Sequence, residues 1–280
     1  MPSLTQKDLR FLESFRELLE FGGGLFNNQS FQLPQQESFY KRNFLLLTFG
    51  AIHNYAETVY ILCKNMRPQA AIVLLRSIFE AYLNMHYLMN VRSNKRLALY
   101  VVKDVREHIK IVNSFLSLIK RHPRLENKYG MTTKATLDAM KKKHEDIEAS
   151  MRSLNKIPIT LGLKSLEERA REYDRRIGSK ARKGEMEFNY HLLYRQFSSC
   201  AHLTPTGLQE FIKDTPEGRE FILDQSEKIE PVVTTTFQLY LNLLKYLDKW
   251  KLISKDISFK KFNRILKEMN RSLEKRDLSI

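Results

Sequence analysis

Apolar residues recur every three or four positions along most of the chain, which is the period of amphipathic α-helices. The first such stretch covers about residues 5–21, and its apolar face carries Leu9, Leu12, Phe15 and Leu19. The pattern then meets Gly22-Gly23-Gly24, and glycine permits the left-handed conformation that commonly ends a helix. We therefore predict that the first helix ends at these glycines.

The same period predicts a succession of further helices. They are expected at about 39–66, 68–90, 94–121, 132–155, 164–177, 186–203, 227–251 and 257–276. Pro68 can open its helix because the first turn needs no proline N–H, and the helices on either side of Arg67-Pro68 should pair antiparallel. Two short alternating runs around Pro216-Glu217-Gly218 predict one small β-hairpin. The predicted fold class is all-α, a helical bundle with a charged helical excursion.

The domain organisation follows from the distribution of apolar and charged residues. We expect one helical domain over residues 1–280, with a core formed by about 38–119 and 186–251. Residues of about 120–185 form the basic excursion, and a helix at about 257–276 closes the chain.

The chain is strongly basic, with 47 Lys and Arg against 32 Asp and Glu, a net charge of +15. The span 120–185 alone carries eight more basic than acidic side chains. Such a field is suited to the phosphates of nucleic acids. The alternative is a solvated helix face that binds nothing.

The two cysteines and the lack of long apolar runs indicate the cellular compartment of the protein. Cys63 and Cys200 lie in separate apolar segments, so neither a disulfide framework nor a thiolate zinc site is expected. The start of the chain lacks the apolar stretch of a secretory signal, and no 18-residue apolar run occurs. The sequence thus favours a cytoplasmic protein with no membrane partner.

Charged residues inside apolar helices mark candidate sites. Arg76 and Glu80 lie one turn apart in a helix that is apolar on nearly every face, so they should pair. The pair either fixes helix packing or lines a polar cleft in which Arg76 faces an anionic ligand. His53 and Glu57 repeat the spacing, and there the carboxylate could orient or charge the imidazole.

The densest group of functional side chains lies in residues 188–202. At intervals of four, a helical stripe carries Tyr190, Tyr194, Ser198 and His202. Arg195, Ser199 and His202 share a face of an unbroken helix, with about 10.5 Å of axial rise between Arg195 and His202. There a histidine could move protons and a guanidinium could stabilise a phosphodiester. The structural alternative is a helix end with His202 as a capping or core residue.

The sequence lacks the motifs of several other enzyme and cofactor-binding classes. No G-x-S-x-G turn, HExxH, Walker loop or glycine-rich dinucleotide fingerprint occurs, and the histidines show no ligand spacing. The sequence therefore predicts neither a cofactor nor a metal.

Two segments together resemble a widespread family of uncharacterised bacterial all-helical domains. They are Ala70-Ala71-x-x-Leu74-Leu75-Arg76-Ser77-x-x-x-Glu80 and Tyr190-x-x-x-Tyr194-Arg195-x-x-Ser198-Ser199-x-x-His202. The second segment is also similar to the HEPN superfamily of helical ribonucleases, whose signature is an Arg followed by a His after four to six residues. The resemblance implies a HEPN-like bundle in which Arg195 and His202 are the catalytic pair of a metal-independent endoribonuclease. It further implies a homodimer that acts in bacterial stress or phage defence, with a cognate inhibitor or a defence partner protein.

Two functions are consistent with these observations. The first is the endoribonuclease, with RNA as substrate and with a cleft supported by Arg76, Glu80, Tyr194, Ser198 and Ser199. The second is a non-catalytic helical module that binds nucleic acid or a partner protein through its basic surface. Loss of cleavage on replacing His202 would separate the two.

Overall fold

The computed structural model of the chain describes residues 4–27, 37–90, 95–155, 163–177, 184–191, 212–216, 218–221, 226–252 and 258–277. Its helices are α1 (Gln6–Asn27), α2 (Glu37–Lys64), α3 (Pro68–Met89), α4 (Lys95–Lys120), α5 (Pro123–Asn155), α6 (Leu166–Ile177), α7 (Glu185–Asn189), α8 (Ile229–Lys249) and α9 (Lys260–Asp277). A 3-10 turn at Ser226–Lys228 leads into α8. The all-α class is confirmed.

The predicted hairpin is present as two short antiparallel strands, β1 (Ile212–Thr215) and β2 (Gly218–Phe221). Thr215 pairs with Gly218, so two residues form the turn. Gly218 has φ 133°, in the region that favours glycine, which explains why the turn ends at that residue.

Most helix bounds agree with the periodicity to within a few residues, except the end of α1 and the start of α5. Most of the predicted helix at about 186–203 lies outside the described residues. Helix α5 begins at Pro123 instead of near residue 132. The chain makes only a short turn after α4, and the N–H groups of Leu125 and Glu126 donate to the His122 carbonyl. Residues 123–131 lack an apolar period, so the helical period alone could not reveal this first part.

The predicted end of the first helix is wrong, because α1 continues through Gly22-Gly23-Gly24 to Asn27. These glycines allow close packing instead of a cap. A Cβ on Gly22 would overlap the Tyr240 hydroxyl, and one on Gly23 would lie 3.3 Å from His53 Nε2. The small residues thus let α1 approach side chains of α2 and α8.

Contacts divide the chain into two compact units, Met1–His86 with Leu166–Ile280, and Tyr87–Ser165. In the first unit α1, α2 and α8 pack against one another, and α9 packs on α8 and α1. Aromatic rings fill this core: Phe15 of α1 contacts Phe237 of α8 with ring centroids 6.3 Å apart. The long apolar faces of these helices are thereby removed from water.

Ion pairs and hydrogen bonds fix the ends of the same helices. Lys7 of α1 lies 2.8 Å from Glu230, a buried carboxylate at the start of α8. On α9, Lys261 lies 2.8 Å from Glu17 of α1. None of the helices in the described part of the chain is both long and apolar enough to cross a membrane.

The second unit is built on α4 and α5, which pack against each other and are joined by Arg121 and His122. The buried apolar residues among the described side chains of this helix pair are Leu97, Val102 and Ile119 of α4 and Leu137 of α5. Most other side chains of this pair are exposed or half-buried. Among the side chains that the structure describes, the pair of α4 and α5 therefore buries a narrow apolar seam.

The glycines of α1 give a first test of the packing. We expect Gly22→Ala to lower the free energy of unfolding by about 1–3 kcal/mol, because the buried Tyr240 ring cannot move away from the new methyl group. Gly24→Ala is the matched control, since a Cβ there meets nothing within 4 Å. The free energy of unfolding of that variant should rise by about 0.5–1 kcal/mol, because alanine has a higher helix propensity than glycine. Urea unfolding measures the free energy of unfolding of both variants. Equal changes in the two variants would contradict the close approach of α1 to Tyr240.

Candidate functional site

One polar group of the first unit is a chain of three side chains from α2 and α8. His53 Nδ1 lies 2.6 Å from the Tyr240 hydroxyl, and His53 Nε2 lies 3.3 Å from Glu57 Oε1. Phe49 stacks on the imidazole with centroids 5.8 Å apart. The predicted proximity of His53 and Glu57 is confirmed, and Tyr240 extends the group into the core.

Burial decides the protonation state of this group. Desolvation lowers the pKa of His53, although the Glu57 carboxylate opposes that effect. Burial, followed by the charge of Glu57, holds the pKa of Tyr240 well above its usual range. A neutral imidazole has one N–H, and the carboxylate can only accept. Nε2 therefore donates to Glu57, and the tyrosine hydroxyl donates to Nδ1.

The exposed end of this chain borders an open groove of about 560 Å³ between α1 and α2. Its lining includes Arg16, Glu20, Gly23, Gly24, Glu57 and Tyr60. Arg16 is itself paired with Glu13 and Glu20. Because the tyrosine hydroxyl is fully buried, His53 cannot present it to a substrate, and the arrangement acts as a link between helices.

A second histidine, His86 of α3, is buried among tyrosines. Its ring lies 4.8 Å from Tyr173 of α6 and 4.2 Å from Tyr246 of α8, measured between centroids. Neither ring nitrogen has a hydrogen-bond partner among the described residues. Burial, with a smaller contribution from Lys249, lowers the pKa of His86 to about 3. The His86 side chain is neutral at physiological pH and contributes to the packing of the core.

Helix α6 supplies a set of buried polar side chains. Arg169 donates a hydrogen bond to the Asn84 side-chain oxygen on α3, and both residues are buried. The hydroxyls of Tyr173 and Tyr82 lie 2.9 Å apart. These contacts fix α6 against α3.

The same helix anchors the start of α7. Buried Asp174 accepts hydrogen bonds from the N–H groups of Met186 (3.0 Å) and Glu187 (2.9 Å). Free N–H groups at a helix start favour a carboxylate. Gly184, the residue before α7, has φ 90° and provides no side-chain cap, so α6 supplies the acceptor.

One group of side chains has ligand types suited to a divalent cation. Ligand atoms of Glu167, Glu187 and His191 all lie within 4.8 Å of one another. The guanidinium of Arg171, however, contacts both carboxylates, at 2.5 Å for Glu187. The carboxylates are therefore already neutralised by a cation of the protein itself.

The predicted site residues fall into two sets. Arg195 and His202, together with Tyr194, Ser198 and Ser199, lie outside the described residues, so their arrangement stays a prediction. Arg76 and Glu80 lie on α3, where both are half-buried instead of buried. That helix buries its second half more completely than its first, so water reaches both charges. Their support of a cleft also stays a prediction.

Sequence reasoning missed the polar residues of α6 and the role of Tyr240. Helix α6 reads as a charged surface helix, yet Arg169, Glu172 and Asp174 are buried. The sequence feature that could have indicated this burial is the alternation of Arg, Glu and Tyr in LEERAREYDRRI, which suits a helix whose charged side chains form ion pairs with one another. Tyr240 lies 187 residues from His53, and no spacing rule connects them.

Comparison with known families identifies the family of the chain. A model described as a family of unknown function (DUF5677) matches residues 42–221, well over half of the chain. The chain therefore belongs to this family. No curated protein and no solved structure matches it.

The neutral state of His86 predicts a pH dependence of stability. The unfolded histidine takes up a proton below about pH 6.5, whereas the folded one does so only near pH 3. Between these values the unfolded state binds more protons, so acid should lower the free energy of unfolding by about 1.4 kcal/mol per pH unit from this group. His86→Phe should reduce the slope measured by urea unfolding from pH 6.5 to 4. A slope unchanged by His86→Phe would contradict the burial.

The anchor of α7 can be tested at Asp174. We expect Asp174→Ala to cost about 2 kcal/mol of unfolding free energy, since it leaves two N–H groups without their charged acceptor. Asp174→Asn should cost less, because its single carbonyl oxygen can still accept. Asp146→Ala, an exposed control on α5, should change the value by less than about 0.5 kcal/mol. Equal losses in the alanine and asparagine variants would argue against a role as hydrogen-bond acceptor.

Proposed function

We propose that this member of the DUF5677 family is a metal-independent endoribonuclease, similar to HEPN nucleases, in which Arg195 and His202 form the catalytic pair. The observation that carries the proposal is the local geometry at Tyr190. This residue opens the stripe that leads to His202; it is buried, follows the last residue of α7 in a π-helical turn at residues 190–191, and has φ −62° and ψ −45°. The proposal takes the chain beyond residue 191 to continue as an α-helix, in which Arg195 and His202 would share one face.

The family match covers the stretch of chain that the proposal uses. Residues 42–221 include both segments that resemble the uncharacterised helical family, and the second of these segments is the one similar to the HEPN signature. The described α7 and the Asp174 anchor lie directly before the second segment. A fixed starting point is what a catalytic helix needs, because small displacements of reacting groups reduce rates strongly.

The proposed reaction uses only groups of the protein and the RNA. His202 accepts the proton of a ribose 2′-hydroxyl, and the 2′-oxygen forms a bond to the adjacent phosphorus. The bond from phosphorus to the 5′-oxygen breaks, and this oxygen takes up the proton that His202 has accepted, which restores the neutral imidazole. Arg195 stabilises the additional negative charge on the phosphate oxygens. The products carry a 2′,3′-cyclic phosphate and a 5′-hydroxyl.

The remaining predicted residues support this centre. Tyr194 stacks on a base or donates to phosphate, and Ser198 or Ser199 holds the imidazole. Arg76 and Glu80 line the cleft from α3. By the resemblance, the enzyme is a homodimer that acts in bacterial stress or phage defence and is controlled by an inhibitor or partner protein.

Exposed basic residues favour RNA as the substrate. On α5 and the turn before it, the exposed cationic side chains are Arg121, Arg124, Lys128, Lys134, Lys141 and Lys142. Contacts of this kind release counterions from phosphates, so binding should weaken as salt rises. The same surface favours a second candidate function, a non-catalytic module that binds nucleic acid or an acidic partner protein.

Cleavage of RNA in the presence of a chelator tests the proposal. The full chain should cleave total cellular RNA in EDTA and leave 2′,3′-cyclic phosphate ends. His202→Ala and Arg195→Ala should each reduce the cleavage rate at least about 100-fold while leaving the unfolding transition and most of the RNA affinity unchanged. Exposed residues provide matched controls, and His122→Ala and Arg67→Ala should cleave like the wild type.

The outcomes separate the two candidate functions. Salt-sensitive RNA binding without cleavage by the wild-type chain favours the binding module. Cleavage that persists in His202→Ala removes this residue from the mechanism. Cleavage lost only when EDTA is added contradicts the metal-independent reaction.

A further inference from the structure

The solvent face of α9 carries charge of one sign. From residue 260 to residue 273, every exposed side chain is Lys or Arg, and the exposed residues are Lys260, Lys261, Arg264, Lys267 and Arg271. The acidic residue of this stretch, Glu268, is half-buried and pairs with Arg10 of α1. A helix face that meets water alone usually mixes both signs of charge, so a face of one sign indicates a partner of the opposite charge.

Helix α1 of the same unit shows the usual mixed pattern. Its exposed Arg16 contacts the carboxylates of Glu13 and Glu20, which lie three and four residues away. On α9, four cations instead follow at steps of four, three and four residues, and they form the basic stripe Lys260, Arg264, Lys267 and Arg271. They lie within about 60° of one another around the helix and extend over about 16 Å. This length corresponds to about five phosphates along one strand of a duplex.

The basic stripe ends at an open groove between α1 and α9. The groove has a volume of about 630 Å³, and its lining includes Lys7, Arg10 and Arg271. Buried Glu230 lies 2.8 Å from Lys7, and Glu268 lies 2.5 Å from Arg10. Two of these three cations are therefore held in place by carboxylates of the bundle, and Arg271 joins the groove to the stripe. Cations arranged in this way suit a phosphate group.

The opposite face of α9 belongs to the core of the first unit. Phe262 and Met269 are buried, and the ring of Phe262 lies 5.2 Å from Phe21 and 6.4 Å from Phe237, measured between centroids. A helix that binds a membrane surface inserts its apolar face among the lipids, and here that face is already covered by protein. The stripe therefore favours a nucleic acid backbone, which binds from the solvent side.

We propose that the basic stripe of α9, with the groove at its end, binds the phosphate backbone of RNA. The choice of RNA rests on the proposed function, and the surface belongs to the first unit, whereas the basic residues of α5 belong to the second. Between residues 260 and 273 the exposed face has no aromatic ring on which a base could stack. Its contacts therefore go to phosphates and do not depend on base sequence.

Fluorescence anisotropy with a single-stranded 2′-O-methyl RNA tests the stripe, because this probe keeps the phosphates and cannot be cleaved through its 2′-oxygen. Combining Arg264→Gln with Lys267→Gln should raise the Kd at least about 10-fold at about 0.1 M salt. It should also reduce the slope of log K against log salt by about 1.4, since each lost phosphate contact contributes about 0.7 for a single strand. Lys261 and Asn263 hold α9 to α1 and α8, so the variant should unfold like the wild type.

A matched control removes the same charge elsewhere in the first unit. Lys64 at the end of α2 and Arg67 in the turn after it are both exposed. Combining Lys64→Gln with Arg67→Gln should leave the Kd within about 3-fold of the wild type, because salt screens exposed charges that do not contact the probe. Equal losses in the two double variants overturn the stripe, and so does full affinity in the α9 variant or a wild-type chain that does not bind the probe.

Two further measurements separate the alternatives. Phosphatidylserine vesicles that bind the chain through Arg264 and Lys267, while the RNA probe does not bind, overturn RNA as the partner. Cleavage of unmodified RNA is measured separately from binding. Binding that depends on α9 without cleavage by the wild type supports the stripe and contradicts the ribonuclease. Cleavage by the wild type together with full probe affinity in the α9 variant supports the ribonuclease and overturns the stripe.

Discussion

The first unit depends on how closely α1 can approach α2 and α8. That approach requires the absence of side chains at Gly22 and Gly23, because the Tyr240 hydroxyl and the His53 ring occupy the space. The 2.6 Å hydrogen bond between these two groups satisfies polar atoms that the approach removes from water. Packing and hydrogen bonding are therefore coupled: neither the helix contact nor the buried tyrosine is favourable without the other. The neutral imidazole is part of this arrangement, since it accepts from the tyrosine and donates to Glu57.

Helix α6 connects this core to the part of the chain that carries the proposed catalytic pair. One of its faces reaches α3 through Arg169 and Tyr173, and Asp174 holds the first N–H groups of α7. Buried polar contacts are costly unless every partner is in place, so they specify one position for α7 more strongly than apolar packing alone does. In this view the bundle supplies a fixed starting point for the segment that follows α7 and contains the proposed pair Arg195 and His202.

The sequence predicted the fold class and most helix bounds because apolar period, prolines and turn residues are local signals. Pro68 and the turn before Gly218 are examples of such local signals. The glycines of α1 could not be interpreted from local sequence, since glycine is typical both of a helix cap and of close helix packing. Only the position of Tyr240 distinguishes these two roles. Within the site, the spacing of His53 and Glu57 predicted their contact, whereas Tyr240 and Asp174 act on residues that are distant in sequence or on backbone groups. Such partners are set by tertiary packing, which no single-chain pattern encodes.

The two units differ in how completely they can bury apolar surface, and this difference explains the exposed face of α4. Several helices surround each helix of the first unit's core, so apolar residues on more than one side are covered. In the second unit α4 packs against α5 within the described residues, and a pair of helices buries the seam between them. Ile111, Phe115 and Leu118 of α4 remain exposed. The described part of the second unit therefore takes less of its stability from apolar burial than the core of the first unit does.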